Sequence, residues 1–226
     1  MKRLLLLLLT PAWLVATQAR AGQFTIQFDF TGSSVSMLGG IAQIPPDGSI
    51  ASASGQLDVS AAGLATPIPG GNAALRNFAM AATVNAATFG NAIQGNVALN
   101  QVGGGVPGVL TPGLSSVVFG APMQIAQSGA LGCSGPSCAI LGLPAVLGGM
   151  QLVALAAMPI ANLAQAGNAL ISGTYAITVA GITGQLHLVG TEVSRVYVPE
   201  PASASLLVAG LCGIAGWRVR RLLRRR

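Results

Sequence analysis

Residues 22–33 read GQFTIQFDFTGS. Phe24, Ile26, Phe28 and Phe30 alternate with Thr25, Gln27 and Asp29. Successive side chains of a β-strand point to opposite faces, so a period of two marks a strand with one buried face. Four large apolar groups in one row need an opposing layer. The pattern therefore predicts a sheet around a core, with the apolar row facing in and Thr25, Gln27 and Asp29 facing out.

The rest of the body repeats this texture more weakly. SIASASGQLDVSAAG suggests a pair of strands around Ile50 to Val59, and ALRNFAMAATVNAATFG a strand around Asn77 to Val84. AIQGNVALNQVGGG reads as a strand followed by a glycine turn, and SSVVFGAPMQIAQSG as two short extended runs. The stretch from PGGNAAL to GGGVPG has room for long loops. Residues 150–166 are ambiguous: Leu and Ala favour a helix, but Pro159 breaks a long one. The reading adopted is a strand through Leu152 to Ala157, with a helix as the alternative. The last stretch, ISGTYAITVAGITGQLHLVGTEVSRVYV, reads as two or three strands divided by Gly181, Gly184 and Gly190. Many short strands with Gly and Pro turns predict a mainly β fold, an antiparallel sandwich or open barrel, in one domain over residues 22–195.

Composition agrees. Of 226 residues, 52% are apolar and only 7% charged, which argues against disorder. The formal charge of +6 describes the ends and not the body. Between residues 22 and 198 only Arg76 and Arg195 oppose Asp29, Asp47, Asp58 and Glu192, a formal −2. A nucleic-acid surface needs a basic face on a folded domain, and this body has none.

The front end, MKRLLLLLLTPAWLVATQARA, has a basic start, an apolar run and small residues at Ala19 and Ala21. That is the order of a secretory signal, with signal peptidase expected to cut after Ala21. The run is short for a span of about 20 apolar residues. At the back, Val198-Pro199-Glu200-Pro201 precedes an uncharged stretch from Ala202 to Trp217, which contains Cys212 as a packing residue. A transmembrane helix over residues 202–219 is expected there, its arginines extending the usable length by snorkelling. Arg218, Arg220, Arg221, Arg224, Arg225 and Arg226 follow, six arginines in nine residues. By the positive-inside rule they hold the C-terminus in the cytoplasm and leave the body on the far side. Pro199 and Pro201 stiffen the segment before the span.

This three-part end, residues 196–226, resembles the PEP-CTERM sorting signal of Gram-negative bacteria. The resemblance is confined to these residues. It implies recognition by exosortase, an integral-membrane cysteine transpeptidase of cells that make exopolysaccharide. It also implies transient anchoring in the inner membrane, then release to the cell surface or beyond. An ordinary tail anchor has no need of the Pro-Glu-Pro triplet.

Candidate chemistry in the body is sparse. Cys133 and Cys138, in GCSGPSC, are expected to pair in an exported protein. A catalytic thiol needs a cationic neighbour, and none is near in sequence. His187, in GQLHLVG, is the single histidine of the chain, too few for a metal site. Its alternation places it with Gln185 and Val189 on a partly exposed strand face. Ser115 and Ser128 lack a nucleophile-elbow context. QVGGGVPG lacks the Lys of a phosphate loop. No cofactor is implied. The carboxylates Asp29, Asp58 and Glu192 are the candidates for paired acid chemistry on a glycan, and Tyr175 and Tyr197 for a sugar-stacking platform. The favoured expectation is a structural or exopolysaccharide-associated surface protein without catalysis. A secreted glycan-active hydrolase and a carbohydrate-binding module are the alternatives.

Overall fold

Phe24, Ile26, Phe28 and Phe30 are all buried, at 2% exposure or less, while Gln27 is exposed and Thr25 and Asp29 half-buried. The period of two is therefore met. The structure, a computed structural model, describes residues 23–37, 42–45, 47–61, 70–88, 90–113, 115–136, 138–141, 146–179, 181–198 and 210. The signal segment 1–21 and the sorting residues from Pro199 onward fall outside the described residues, apart from 210.

The elements in chain order are β1 (Gln23–Asp29), β2 (Ser34–Met37), β3 (Ala42–Ile44), β4 (Gly48–Ala61), β5 (Gly71–Thr88), β6 (Asn91–Gln101) and β7 (Val106–Leu110). They continue with β8 (Ser116–Phe119), β9 (Met123–Ser134), the short helix α1 (Cys138–Leu141), β10 (Val146–Leu147) and β11 (Met150–Val153). The last three are β12 (Ala157–Ala161), β13 (Leu170–Val179) and β14 (Ile182–Val198). All pairings are antiparallel within one sheet. Eight strands close on themselves, in the order β5, β4, β1, β14, β13, β12, β8, β7 and back to β5. The sheet is thus a closed barrel and neither a sandwich nor an open barrel. Closure leaves no free edges along the ring.

Two strands carry the fold beyond that ring by changing partners along their length. The first residues of β5 pair with β7, Gly71 with Leu110 through Leu75 with Val106. Its later residues pair with β6, Ala79 with Asn100 through Thr88 with Asn91. The switch falls at a bulge, where Asn77 takes φ 54° and the register with β4 slips between Ser54 and Gln56. Likewise β14 pairs with β13 over Ile182 to Thr191 and with β1 over Thr191 to Val198. Its Gly184–His187 stretch also pairs with β2.

The extension made by β6, β9 and β11 meets β13 through side chains. Gln127 Nε2 donates to the Thr178 carbonyl, and the Thr178 N–H donates to Gln151 Oε1 at 2.8 Å. Two glutamine amides thus take the place of a strand partner and satisfy both backbone groups of one residue. The interior beside this seam is apolar. A cavity of about 20 Å³ there is lined by residues such as Val35, Met37, Met80, Leu99 and Val179. Space for about one water without polar partners stays dry, so the body offers no internal ligand chamber at this place.

Several local readings need correction. The pair of strands near Ile50 to Val59 is one long strand, β4, bent by two register slips. The room for long loops between residues 69 and 108 is taken almost wholly by β5 and β6. The helical alternative over residues 150–166 fails, and so does a single strand from Leu152 to Ala157. The segment forms β11 and β12, broken at 154–156 where the chain crosses from β9 to β8. In β12, Met158 and Ile160 point inward while Pro159 faces out. Its missing N–H leaves the pairing with Ser116 in place.

Gly184 and Gly190 lie inside β14 and do not divide it. The Phe30 ring lies against Gly190 and Gly55, where an added Cβ would approach it to 2.3 and 2.7 Å. Phe28 and Phe78 complete its surroundings, each ring centroid 5.9 Å away. The glycines keep two strands bare so that one ring fits between them.

Two outcomes follow from this packing, both readable by chemical denaturation. Phe28→Ala lowers stability by about 3–5 kcal/mol, while Gln27→Ala on the opposite face stays within about 0.5 kcal/mol. Gly190→Ala, a change that adds one methyl group, costs about 1–3 kcal/mol by overpacking against Phe30. An unchanged denaturation midpoint for Gly190→Ala would contradict the wedge.

Candidate functional site

The three candidate carboxylates are not brought together. Glu192 stands opposite Phe28 on the inner face, whereas Asp29 and Asp58 lie on the outer face of the same sheet. Asp29 pairs in register with Ser54, and Asp58 with Thr25. The two aspartates are therefore four residues apart along neighbouring strands, roughly 14 Å at strand rise.

Each carboxylate has a local task. Asp29 accepts from the Thr31 N–H at 2.9 Å and from Thr31 Oγ1 at 3.0 Å, which turns the chain out of β1. Asp47 accepts from the Gln43 N–H at 3.1 Å and tightens the turn between β3 and β4. Glu192 forms a two-pronged ion pair with Arg195: Nε donates to Oε1 at 2.9 Å and Nη2 to Oε2 at 2.8 Å. Both side chains are almost fully buried, at 2% exposure for Arg195 and none for Glu192.

Residues three apart on a regular strand face opposite ways. A register slip puts these two on one side: Gln27 pairs with Ser194 and Phe28 with Glu192, which leaves Val193 as the extra, exposed residue. The arginine is further held by the Leu163 carbonyl at 2.8 Å and lies 5.0 Å from the Phe24 ring centroid. The Ala169 N–H donates to Glu192 at 3.0 Å. The pair thereby fastens the β12–β13 connection to the end of β14. Burial by itself raises the carboxyl pKa. Hydrogen bonds from Arg195 and from the Gly167 and Ala169 backbone, with the arginine charge, outweigh it and hold Glu192 below its ordinary value.

Asp58 organises the outer face. Its Oδ1 accepts from Thr25 Oγ1 and Gln56 Nε2, each at 2.8 Å, and its Oδ2 from Arg76 Nε at 2.8 Å. Gln56 Oε1 accepts in turn from Gln27 and Asn77, each at 3.2 Å. Beside this network runs an open groove of about 400 Å³ across β1, β4 and β5, reaching Val198 at the end of β14. Sequence reasoning missed both arginine pairs. A Glu-x-x-Arg spacing was visible, but the slip that aligns it is a property of the pairing.

His187 is exposed and shares a 3.0 Å hydrogen bond with Thr174. Ser115 and Ser128 are exposed. Among the described residues no three His, Cys, Asp or Glu side chains gather as metal ligands would. Tyr175 is buried, which pushes its hydroxyl up to about 12. Tyr197 is half-exposed and tilted on Phe24 at 5.9 Å. The two tyrosines therefore form no stacking platform. Cys133 and Cys138 are disulfide-bonded with Cα atoms 5.7 Å apart. The bond ties the end of β9 to α1.

The sorting residues and Ala19 and Ala21 lie outside the described residues, except Val198. Their points of attachment are close together, because Gln23 and Val198 are register partners on β1 and β14. No known protein family, curated protein or solved structure matches this chain.

The ion pair has a calculable pH signature. A lowered folded pKa stabilises in full above the ordinary glutamate range, and that contribution is lost as pH falls through the lowered value. Thermal melts should therefore show a drop in stability below about pH 4. Glu192→Gln is less stable at neutral pH, with a flatter acid limb. Arg195→Ala, which strands a buried carboxylate, costs about 3–5 kcal/mol at pH 7. For the disulfide, whose cysteines are five positions apart, Cys133→Ser with Cys138→Ser costs about 2 kcal/mol in denaturant titrations.

Proposed function

We propose that this is an exported surface or extracellular-matrix protein that exosortase processes at Val198 to Pro201, and that its body serves as a structural, exopolysaccharide-associated module. The observation that carries the reading is the order of the C-terminal segment: a Pro-Glu-Pro triplet, an uncharged span and an arginine cluster, on a chain that opens with a signal-like segment. The body is consistent with it. Its sorting motif starts where β14 ends, beside the first residue of β1. A tether at one end of the barrel leaves the rest of its outer face accessible while the chain is anchored. Thr, Ser, Asn, Gln and Ala are frequent on that face, beside exposed apolar groups such as Val109, Val118, Val193 and Val196.

The hydrolase alternative loses its support from the carboxylate placement, since Glu192 is inside the barrel and Asp58 is engaged by Arg76.

Mass spectrometry of the mature termini, in producing cells with and without their exosortase, tests the proposal. The expected N-terminus is Gly22, and the expected C-terminus lies within the sorting segment only when exosortase is present. Loss of all six terminal arginines leaves the body at a formal −2, so isoelectric focusing shows a shift from basic to acidic. Glu200→Ala should leave membrane insertion intact and block processing. A Glu200→Ala protein released in processed form would defeat the sorting reading and leave a plain anchor.

A further inference from the structure

The groove over β1, β4 and β5 is an open concavity on the outer face, beside the network that Asp58 organises. Its volume of about 400 Å³ is within the usual range for small-molecule sites. We propose that it binds a segment of neutral, polyhydroxylated glycan. This rests on the exopolysaccharide reading above and adds to it a place and a ligand chemistry.

The polar groups of the groove are set before any ligand arrives. Asp58 is fixed by three donors, from Thr25, Gln56 and Arg76. The Arg76 stem lies flat on Gly105, where a Cβ would come within 2.8 Å of Arg76 Cγ and 2.9 Å of its Nε. Only a residue without a side chain permits that contact. Held by its Nε, the Arg76 side chain remains half-exposed. Gln23, Ser60 and Asn72 line the same groove and are exposed. Together these groups offer amide, hydroxyl and guanidinium donors beside carbonyl and hydroxyl acceptors. A planar amide or guanidinium presents polar atoms side by side, as adjacent sugar hydroxyls do. A preformed array loses little freedom on binding.

The same lining selects against other ligands. Asp58 and Arg76 cancel, so the groove has no surplus charge for a phosphate or a uronic acid. A single carboxylate, already saturated by donors, is a poor cation site.

The test uses the protein as extracted from producing cells, run in native gels containing hydroxyethylcellulose, dextran or galactomannan, with alginate as the anionic comparison. The wild type should be retarded by at least one neutral polysaccharide and not by alginate. Asp58→Asn and Arg76→Ala should weaken the retardation at least tenfold in polymer concentration. Ser60→Trp fills the groove without touching the ion pair, and decides the matter if the other variants unfold. Thr174→Ala, on the outer face near His187, should behave as wild type. Circular dichroism confirms that each variant is folded. Retardation by none of the neutral polymers, by alginate alone, or equally for wild type and Ser60→Trp would overturn the proposal. The mass of each sample reports processing separately. A processed protein that does not bind sinks the groove and spares the sorting reading, and an unprocessed one that binds does the reverse.

Discussion

Everything in this barrel depends on hiding one side of β1. The Phe24, Ile26, Phe28 and Phe30 row is held on both flanks, by β4 on one edge and by β14 on the other. Burying such side chains is worth about 1.5–3 kcal/mol each relative to exposure, enough to choose one register over another. A shift of one residue would turn all four into water. Because β14 comes last among the described strands, that pairing also brings the far end of the body back to its start. Closure of the ring and the common point of attachment of both terminal segments are consequences of the same contact.

Irregularity gives the barrel its useful features. A slip opposite Gln27 and Phe28 lets Glu192 and Arg195 share a side. A second slip, at Asn77, bends β5 where it leaves β7 for β6. Bulges of this kind re-aim side chains and increase local twist. Here one of them builds an internal ion pair that clamps the β12–β13 connection. The other lies at the edge of the outer groove, where Asn77 joins the network around Asp58. The glutamine amides at Thr178 serve the extension in a comparable way. Side chains complete a ladder that the backbones do not reach.

The exterior is unusual in how little charge it carries. Arg76 and Arg195 each face a carboxylate, so neither supplies a free positive patch. Amide and hydroxyl side chains share the outward positions with Gly, Ala and Pro and with exposed apolar groups such as Val109, Met150 and Leu152. Such a surface attracts little by long-range electrostatics and interacts through short-range hydrogen bonds. That chemistry fits the proposed role among neutral glycans.

The linear order of residues determined what depends on near neighbours. The strict alternation in residues 24–30 predicted the orientation of β1, because side-chain direction in a strand is local. The pairing of Cys133 with Cys138, five positions apart, was equally legible, being a contiguous pattern. Tertiary structure decided what depends on partners. Nothing in β5 announces that it exchanges β7 for β6, since alternation reads the same beside either. The closed ring, in place of an open barrel or sandwich, follows from the β5–β7 pairing across some thirty intervening residues. Gly190 read as a break because glycine is flexible, yet in the fold it is the absence of a Cβ that matters, against the ring of a residue far away in sequence. The Glu192–Arg195 pair was hidden for the same reason: two charges three apart share a side only after β1 imposes a bulge between them. The groove around Asp58 needed Thr25, Arg76 and Gly105 from distant parts of the chain. Its parts were all in the sequence, and only pairing put them side by side.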